Sequence, residues 1–339
     1  MNVIKYLGKI CLAAITACVI ISIILCFYSV SPIHIENEKG NTDYIWIPNS
    51  YWVTKAEGLA WGKFDSNGFN NISVINNPDI IILGSSHMEA KNVNQDENAC
   101  YKLNEMFDGK YKVYNMGISG HHLYKVCQYL PASIERFETV PEVVIVETDT
   151  VELSLDKVEA VLNGTVEFTP SYSKGIIGFL QKIPILRLMH HQMEDGLLDL
   201  FLQKTESTAV VSDITEEETE AQINIDREPY EKLMGYLSSI EEKFNTQIIV
   251  FYHPSENLEE DGTISFNNNK SLPVFASEAL EQGIDFIDMT SDFENMYYEL
   301  HQVPHGFVTG KTAFGHLNAD GHRVIANALY DVIVQMEEP

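Results

Sequence analysis

The chain has 339 residues, of which 22 are Lys or Arg and 49 are Asp or Glu, for a formal net charge of −27. That balance argues against nucleic acid as a partner, because phosphate backbones are bound by clustered cations. With 45% hydrophobic and 21% charged residues the chain can fill a core and does not have the composition of a disordered tail.

The first element is Ile10 to Val30, an apolar run without one charged side chain. At 1.5 Å per residue it is long enough to cross the roughly 30 Å hydrocarbon layer as a helix. Lys5 and Lys9 precede it and Glu36 and Glu38 come after it. The positive-inside bias therefore expects residues 1–9 as a cytoplasmic tail, residues 10–30 as a single-pass anchor in the cell membrane, and the rest as extracytoplasmic. A cleaved signal peptide fits less well, since Phe27-Tyr28 offers no small-residue cleavage site. A lipidated Cys18 fits less well too, because the residues after it stay apolar. Cys11, Cys18 and Cys26 fall in this run. Cys100 and Cys127 remain outside it and read as buried helix residues rather than a disulfide framework.

Residues 31–75 mix Asn, Gly, Pro and aromatics without a clear period and read as an extracytoplasmic connector. From 76 onward the pattern becomes regular. Asp79 to Leu83 is a short apolar run suited to a strand buried on both faces, then a helix is expected over Ala99 to Phe107. Next come a strand over Tyr111 to Met116, a helix over Leu123 to Phe137 and a strand over Val143 to Val146. Residues 151–226 break the pattern, with apolar pieces and the acidic stretch Asp213 to Glu220, and read as an insertion. The pattern resumes with helix Glu231 to Phe244, strand Gln247 to Tyr252, helix Val274 to Gln282, strand Asp285 to Ile287 and helix Ala319 to Gln335. The alternation predicts an α/β domain over 76–339, a mainly parallel sheet covered by helices on both sides.

In such sheets ligands sit at the carboxyl ends of the strands. Those ends read Gly84-Ser85-Ser86-His87, Asn115-Met116-Gly117, Glu147-Thr148-Asp149 and Tyr252-His253-Pro254. Ser86, just past a buried strand and at a helix start, is exposed where backbone N–H groups can stabilise negative charge. A serine needs a base, and His316, immediately before the helix that Asn318 is placed to cap, is the best candidate. His87 adjoins Ser86 but neighbours at a helix start do not face each other, so it is expected to pack or to touch substrate. Zinc at His301, His305, His316 and His322 is set aside, because Pro304 breaks the helix that would align the first two and no His-Glu-x-x-His motif is present.

These motifs resemble the SGNH, or GDSL-like, hydrolase superfamily. Gly84-Ser85-Ser86 matches the Gly-Asp-Ser turn with Ser85 in the Asp place, and Asn115-Met116-Gly117 matches the second turn. His316-Leu317-Asn318 with Gly321-His322 and Ala326 matches the ending. The resemblance covers about residues 79–339 apart from the insertion. It implies a flavodoxin-like three-layer sandwich, Ser86 as nucleophile and His316 as base. It also implies an oxyanion hole from the Ser86 and Gly117 backbone N–H groups, with Thr148 or Asp149 in the region of the third donor. Asn115, Asp149, His87 and His253 are expected as support or substrate contacts.

Where the family places an acid three residues before the histidine, this chain has Ala313. A Ser-His dyad is therefore expected, with Asp288 and Glu147 as weak candidates to orient His316. The Gly-Ser-Ser-His turn also resembles membrane-anchored relatives that acylate cell-surface polymers, such as alginate acetylation proteins and the teichoic acid D-alanylation protein. Asp65-Ser66-Asn67-Gly68-Phe69 is similar to the lead-in segment of those relatives and reads by itself as an Asn-Gly turn.

The reading is thus an anchored serine esterase on O-acyl groups, acetyl above all, of cell-surface glycan or a small ester. It needs no cofactor or metal. The alternatives are an acyltransferase working with a membrane partner, or a non-catalytic glycan-binding module.

Overall fold

A computed structural model describes residues 2–25, 33–36, 42–54, 57–166, 225–267, 269–308 and 312–337. The chain divides into two units, Met1–Ser50 with Phe168–Ile225, and Tyr51–Glu167 with Asp226–Pro339. In the first unit, helix α1 (Asn2–Leu25) begins inside the stretch expected as a tail. Its segment Lys5–Ile24 has a mean hydropathy of 2.4 and is long and apolar enough to cross a membrane. Strands β1 (Ile33–Glu36) and β2 (Thr42–Ile45) form an antiparallel pair. The end of the expected anchor, residues 26–30, and most of the insertion, including Asp213 to Glu220, lie outside the described residues.

The second unit opens with a hairpin that the aperiodic connector does not announce, β3 (Tyr51–Thr54) against β4 (Ala60–Lys63). Trp52 is its buried anchor at 1% exposure. Gly62 lies opposite because a Cβ there would come within 2.5 Å of the indole. Next, the Asp65–Phe69 turn closes on its own carboxylate, whose Oδ1 accepts the N–H groups of Asn67 and Phe69. The other oxygen accepts from the Tyr114 hydroxyl at 2.6 Å and from Asn71. Burial and this carboxylate together push the Tyr114 phenol up.

The central sheet has five parallel strands in the order β6-β5-β7-β8-β11: β5 (Ile80–Leu83), β6 (Val113–Asn115), β7 (Val143–Thr148), β8 (Gln247–Tyr252) and β11 (Asp285–Asp288). Every residue of β5 and β7 is buried, which explains their continuous apolar runs. Ile80, Ile82, Ile145 and Phe251 pack with Leu103 and Phe107 of α3 (Ala99–Phe107) and with Leu329 and Ile333 of the last helix. The alternating side chains Ile81, Val144 and Val250 are equally buried and face the other way. There α4 (Leu123–Ile134) contacts β7 and α6 (Glu228–Phe244) contacts β8.

This is the flavodoxin-like three-layer sandwich that the resemblance implies. The strand order reverses between β5 and β7, so the switch point of the sheet lies at the carboxyl end of β5.

Elements absent from the sequence reading are short or polar. They are α5 (Leu155–Leu162), which contacts α4 and α6 although it falls in the expected insertion, the β9 (Glu256–Leu258) and β10 (Ile264–Phe266) hairpin, and α8 (Thr290–Leu300). The final hairpin, β12 (His305–Gly306) with β13 (Thr312–Leu317), is a further addition to the expected elements. Helices α7 (Leu272–Glu281) and α9 (Ala319–Glu337) lie where expected.

Candidate active site

Ser86 opens α2 (Ser86–Glu89), directly after β5. Gly84 makes the tight exit from the strand, since a Cβ there would meet Glu147 Oε2 at 2.5 Å and Met88 Cγ at 2.7 Å. Ser85 caps the helix by accepting the His87 N–H at 3.2 Å. Its own N–H donates to Glu147 Oε2 at 2.6 Å, and Glu147 Oε1 lies 2.9 Å from His253 Nε2. A fully buried carboxylate thus ties the Ser85–Ser86 turn to the end of β8.

His316 comes from β13, across the sheet edge. Its strand is irregular: Ala313 has φ +54° and Gly315 φ +89°, conformations that a run of ordinary strand residues does not adopt. Asn318 fixes the start of α9, its side-chain oxygen accepting the N–H groups of Asp320 and Gly321 and its NH2 donating to Val303 O at 2.7 Å. The outcome is a hydrogen bond of 2.9 Å between His316 Nε2 and Ser86 Oγ.

Behind the imidazole stands a residue that the sequence reading missed. Glu57, in the loop of the β3–β4 hairpin, places Oε2 at 2.5 Å from His316 Nδ1 and accepts the His316 backbone N–H at 3.2 Å. A carboxylate accepts only, so Nδ1 carries the proton and Nε2 is left as the acceptor for the serine hydroxyl. Asn92 Nδ2 steadies the same carboxylate at 3.4 Å and the Glu57 carbonyl at 3.3 Å. A Cβ on Gly315 would lie 2.8 Å from both carboxylate oxygens, so glycine at 315 makes room for Glu57.

The three side chains form a hydrogen-bonded line, with Glu57 and His316 about one third exposed. The expected Ser86–His316 pair is thus joined by a third hydrogen-bonded side chain, Glu57. Neither weak candidate orients His316: Asp288 accepts from Thr290, and Glu147 serves Ser85 and His253.

The remaining expected residues divide. The Gly117 N–H, expected in the oxyanion hole, donates instead to Asn115 Oδ1 at 2.8 Å. The absence of a side chain at 117 serves packing, because a Cβ would meet Glu89 N at 2.4 Å. Asn115 is a buried brace, giving its NH2 to Met88 O at 2.7 Å and pairing through its backbone with Asn71.

Thr148, the other expected donor, is buried, its hydroxyl donating to Thr150 O at 2.5 Å. Asp149 turns to His122 at 3.8 Å, which holds the carboxyl below its usual range and raises the imidazole.

His87 sits at the centre of an aromatic cluster, with ring centroids 4.8 Å from His253, 5.4 Å from His305 and 5.3 Å from His316. His305 Nδ1 lies 2.7 Å from Glu256 Oε2. Desolvation, aided by the neighbouring imidazoles, drives His87 well below the ordinary value and lowers His305 despite Glu256. The same cause pushes His322 down to about 3. These groups are held neutral beside His316. Among the described residues no group of three or more His, Cys, Asp or Glu is arranged to hold a metal ion.

No family model matches the chain, and no curated protein matches it. Among solved structures the chain is similar to the acetyl xylan esterase AlAXEase, at 14% identity over 75% of this chain and 99% of that one, with a TM-score of 0.39. It is also similar to the psychrotrophic esterase EstA from Pseudoalteromonas sp., at 14% identity, 77% and 98% coverage and a TM-score of 0.37. A variant of an acetyl xylan esterase from Geobacillus stearothermophilus gives 12% identity, 76% and 95% coverage and 0.38.

Proposed function

We propose that the protein is a membrane-anchored serine esterase of SGNH type that removes O-acyl groups, acetyl above all, from cell-surface glycan outside the cytoplasm. The observation that carries this reading is the continuous line Ser86 Oγ–His316 Nε2, His316 Nδ1–Glu57 Oε2 at the sheet's switch point. The membrane placement rests on the Lys5–Ile24 span and on the lysines that precede the apolar run.

In the cycle, Ser86 Oγ attacks the ester carbonyl as Nε2 takes its proton. Glu57 stabilises the imidazolium that forms and keeps it in the tautomer that can accept. The Ser86 backbone N–H, at the first position of α2 and therefore without an intrahelical partner, supplies one donor to the oxyanion. His316 then returns the proton to the leaving sugar oxygen, and water, activated by the same imidazole, releases the acid from the acyl-enzyme. Asp149 does not oppose the developing negative charge, because it is turned to His122.

Transfer to a second sugar hydroxyl would use the same residues. The test is release of acetate from acetylated oligosaccharides by the full chain in detergent: the reading expects turnover that Ser86→Ala and His316→Ala both abolish. Acetate release that survives Ser86→Ala would overturn it.

A further inference from the structure

The carboxyl edge that carries Ser86 carries a second concave feature three strands away. A cavity of about 660 Å³ opens between the β9–β10 hairpin, the start of α7 and one side of α8. Its floor and walls include Phe266, Asn267, Asn269, Glu294, Tyr297 and Tyr298. The Tyr297 ring meets Phe266 at 6.3 Å and Tyr298 at 5.0 Å. The Tyr297 hydroxyl accepts the Ile264 N–H at 3.2 Å, which locks this ring to the hairpin. Tyr298, by contrast, leaves 62% of its surface exposed.

The chemistry of this lining is specific in what it lacks as well as in what it offers. Among the described residues no Lys or Arg lines the cavity, so none of them offers a cationic partner for a phosphate or carboxylate ligand. Ile264, Phe266 and Leu272 are interrupted there by amides, hydroxyls and the Glu294 carboxylate, whereas an acyl chain selects continuous apolar walls. Flat aromatic faces beside groups that both donate and accept suit a ligand with alternating C–H faces and hydroxyl edges. A neutral sugar has that character.

Position points the same way. Phe266 pairs across the hairpin with Glu256, whose carboxylate holds His305 in the cluster around His87. Thr290, also at the cavity, comes directly after the carboxyl end of β11. With strands about 4.8 Å apart, three strand spacings put this edge of the sheet about 14 Å from the strand that carries the nucleophile. A ligand reaching from one to the other is an oligomer.

We infer that this cavity is a subsite for the sugar chain of the acylated glycan, holding units away from the one being deacylated. The inference rests on the glycan esterase reading and adds that the substrate is a chain rather than a single sugar.

The experiment compares acetylated mono- and tetrasaccharides of β1,4-linked glucose, xylose and N-acetylglucosamine as substrates of the full chain in detergent. The wild type is expected to show a kcat/KM at least tenfold higher on one tetrasaccharide than on its monosaccharide. Tyr298→Ala is expected to shrink that ratio about fivefold or more, as truncation of an aromatic anchor does. Since Tyr298 is exposed, its loss does not threaten folding.

Equal kcat/KM on both lengths, or an equal loss on both in Tyr298→Ala, would overturn the subsite and leave the esterase reading standing. A changed preference for acyl length in Tyr298→Ala would mean an acyl pocket and also overturn it. No acetate from any glycan, with Ser86-dependent hydrolysis of p-nitrophenyl acetate intact, would overturn both the subsite and the glycan part of the reading.

Discussion

The Glu57 carboxylate meets His316 Nδ1 at 2.5 Å across 259 positions of sequence, so the acid beside this imidazole comes from a hairpin before the sheet begins. The place three residues before the histidine is filled instead by Ala313, buried and in the left-handed region. Removing Glu57 as Glu57→Ala should lower kcat on p-nitrophenyl acetate by about 10²- to 10⁴-fold with little change in KM. Glu57→Gln should fare no better, because its amide can donate to Nδ1 and favour the tautomer that cannot accept from serine. Asp288→Asn should stay within about twofold of wild type. A reversal of that ranking would remove Glu57 from the mechanism.

Gly315→Ala tests the same contact from the other side. The added Cβ would press on both Glu57 oxygens at 2.8 Å and must adopt φ +89°. Activity should fall about as far as in Glu57→Ala, with roughly 1 kcal/mol or more of stability lost in chemical denaturation. Wild-type kinetics in this variant would show that the carboxylate does not need the space.

Much of this architecture is legible in the sequence because buried parallel strands announce themselves. DIIIL, VVIV and QIIVFY are continuous apolar runs, and the turns after them carry the residues that converge at the site. The Ser86–His316 pairing is expected from a serine at a strand end, a histidine just before the last helix and the resemblance of both motifs to the SGNH superfamily. Glu57 is not legible in this way, because it lies in a loop between two four-residue strands, its partners Asn92 and His316 are far away in sequence, and no spacing ties it to position 316. Gly117 and Thr148 sit at the expected strand ends, but which way a backbone N–H or a hydroxyl points depends on local turn geometry that residue order does not report. Gly117 is turned by Asn115, and Thr148 by the backbone of Thr150.

Glu147 should matter for stability as well as for position. Glu147→Ala leaves the Ser85 N–H and His253 Nε2 without their buried acceptor, which should cost about 3 kcal/mol. Thermal denaturation of the full chain in detergent should show Tm lowered by several degrees. An unchanged Tm would mean that the turn is held without it.

The buried histidines predict an acid-side loss of stability. His87, His305 and His322 all have native pKa values below their unfolded ones, by desolvation first. As pH falls through about 6.5 the unfolded chain gains protons that the native state refuses, so stability drops, and for His322 the drop continues towards pH 3. Each contributes a slope of up to about 1.4 kcal/mol per pH unit. Urea unfolding at pH 7.5 and 5.5 should show that loss, and His322→Gln should reduce it by one proton's share. Equal stability at the two values would contradict the buried neutral assignment.

The central claim is that Ser86 is a nucleophile activated through His316 by Glu57. Its most direct test is the rate and site of phosphonylation of the full chain by a fluorophosphonate, read by mass spectrometry at neutral pH. The account predicts one adduct, on Ser86, formed at least 100-fold more slowly in Glu57→Ala and not at all in Ser86→Ala. An adduct elsewhere, or an unchanged rate in Glu57→Ala, would contradict it.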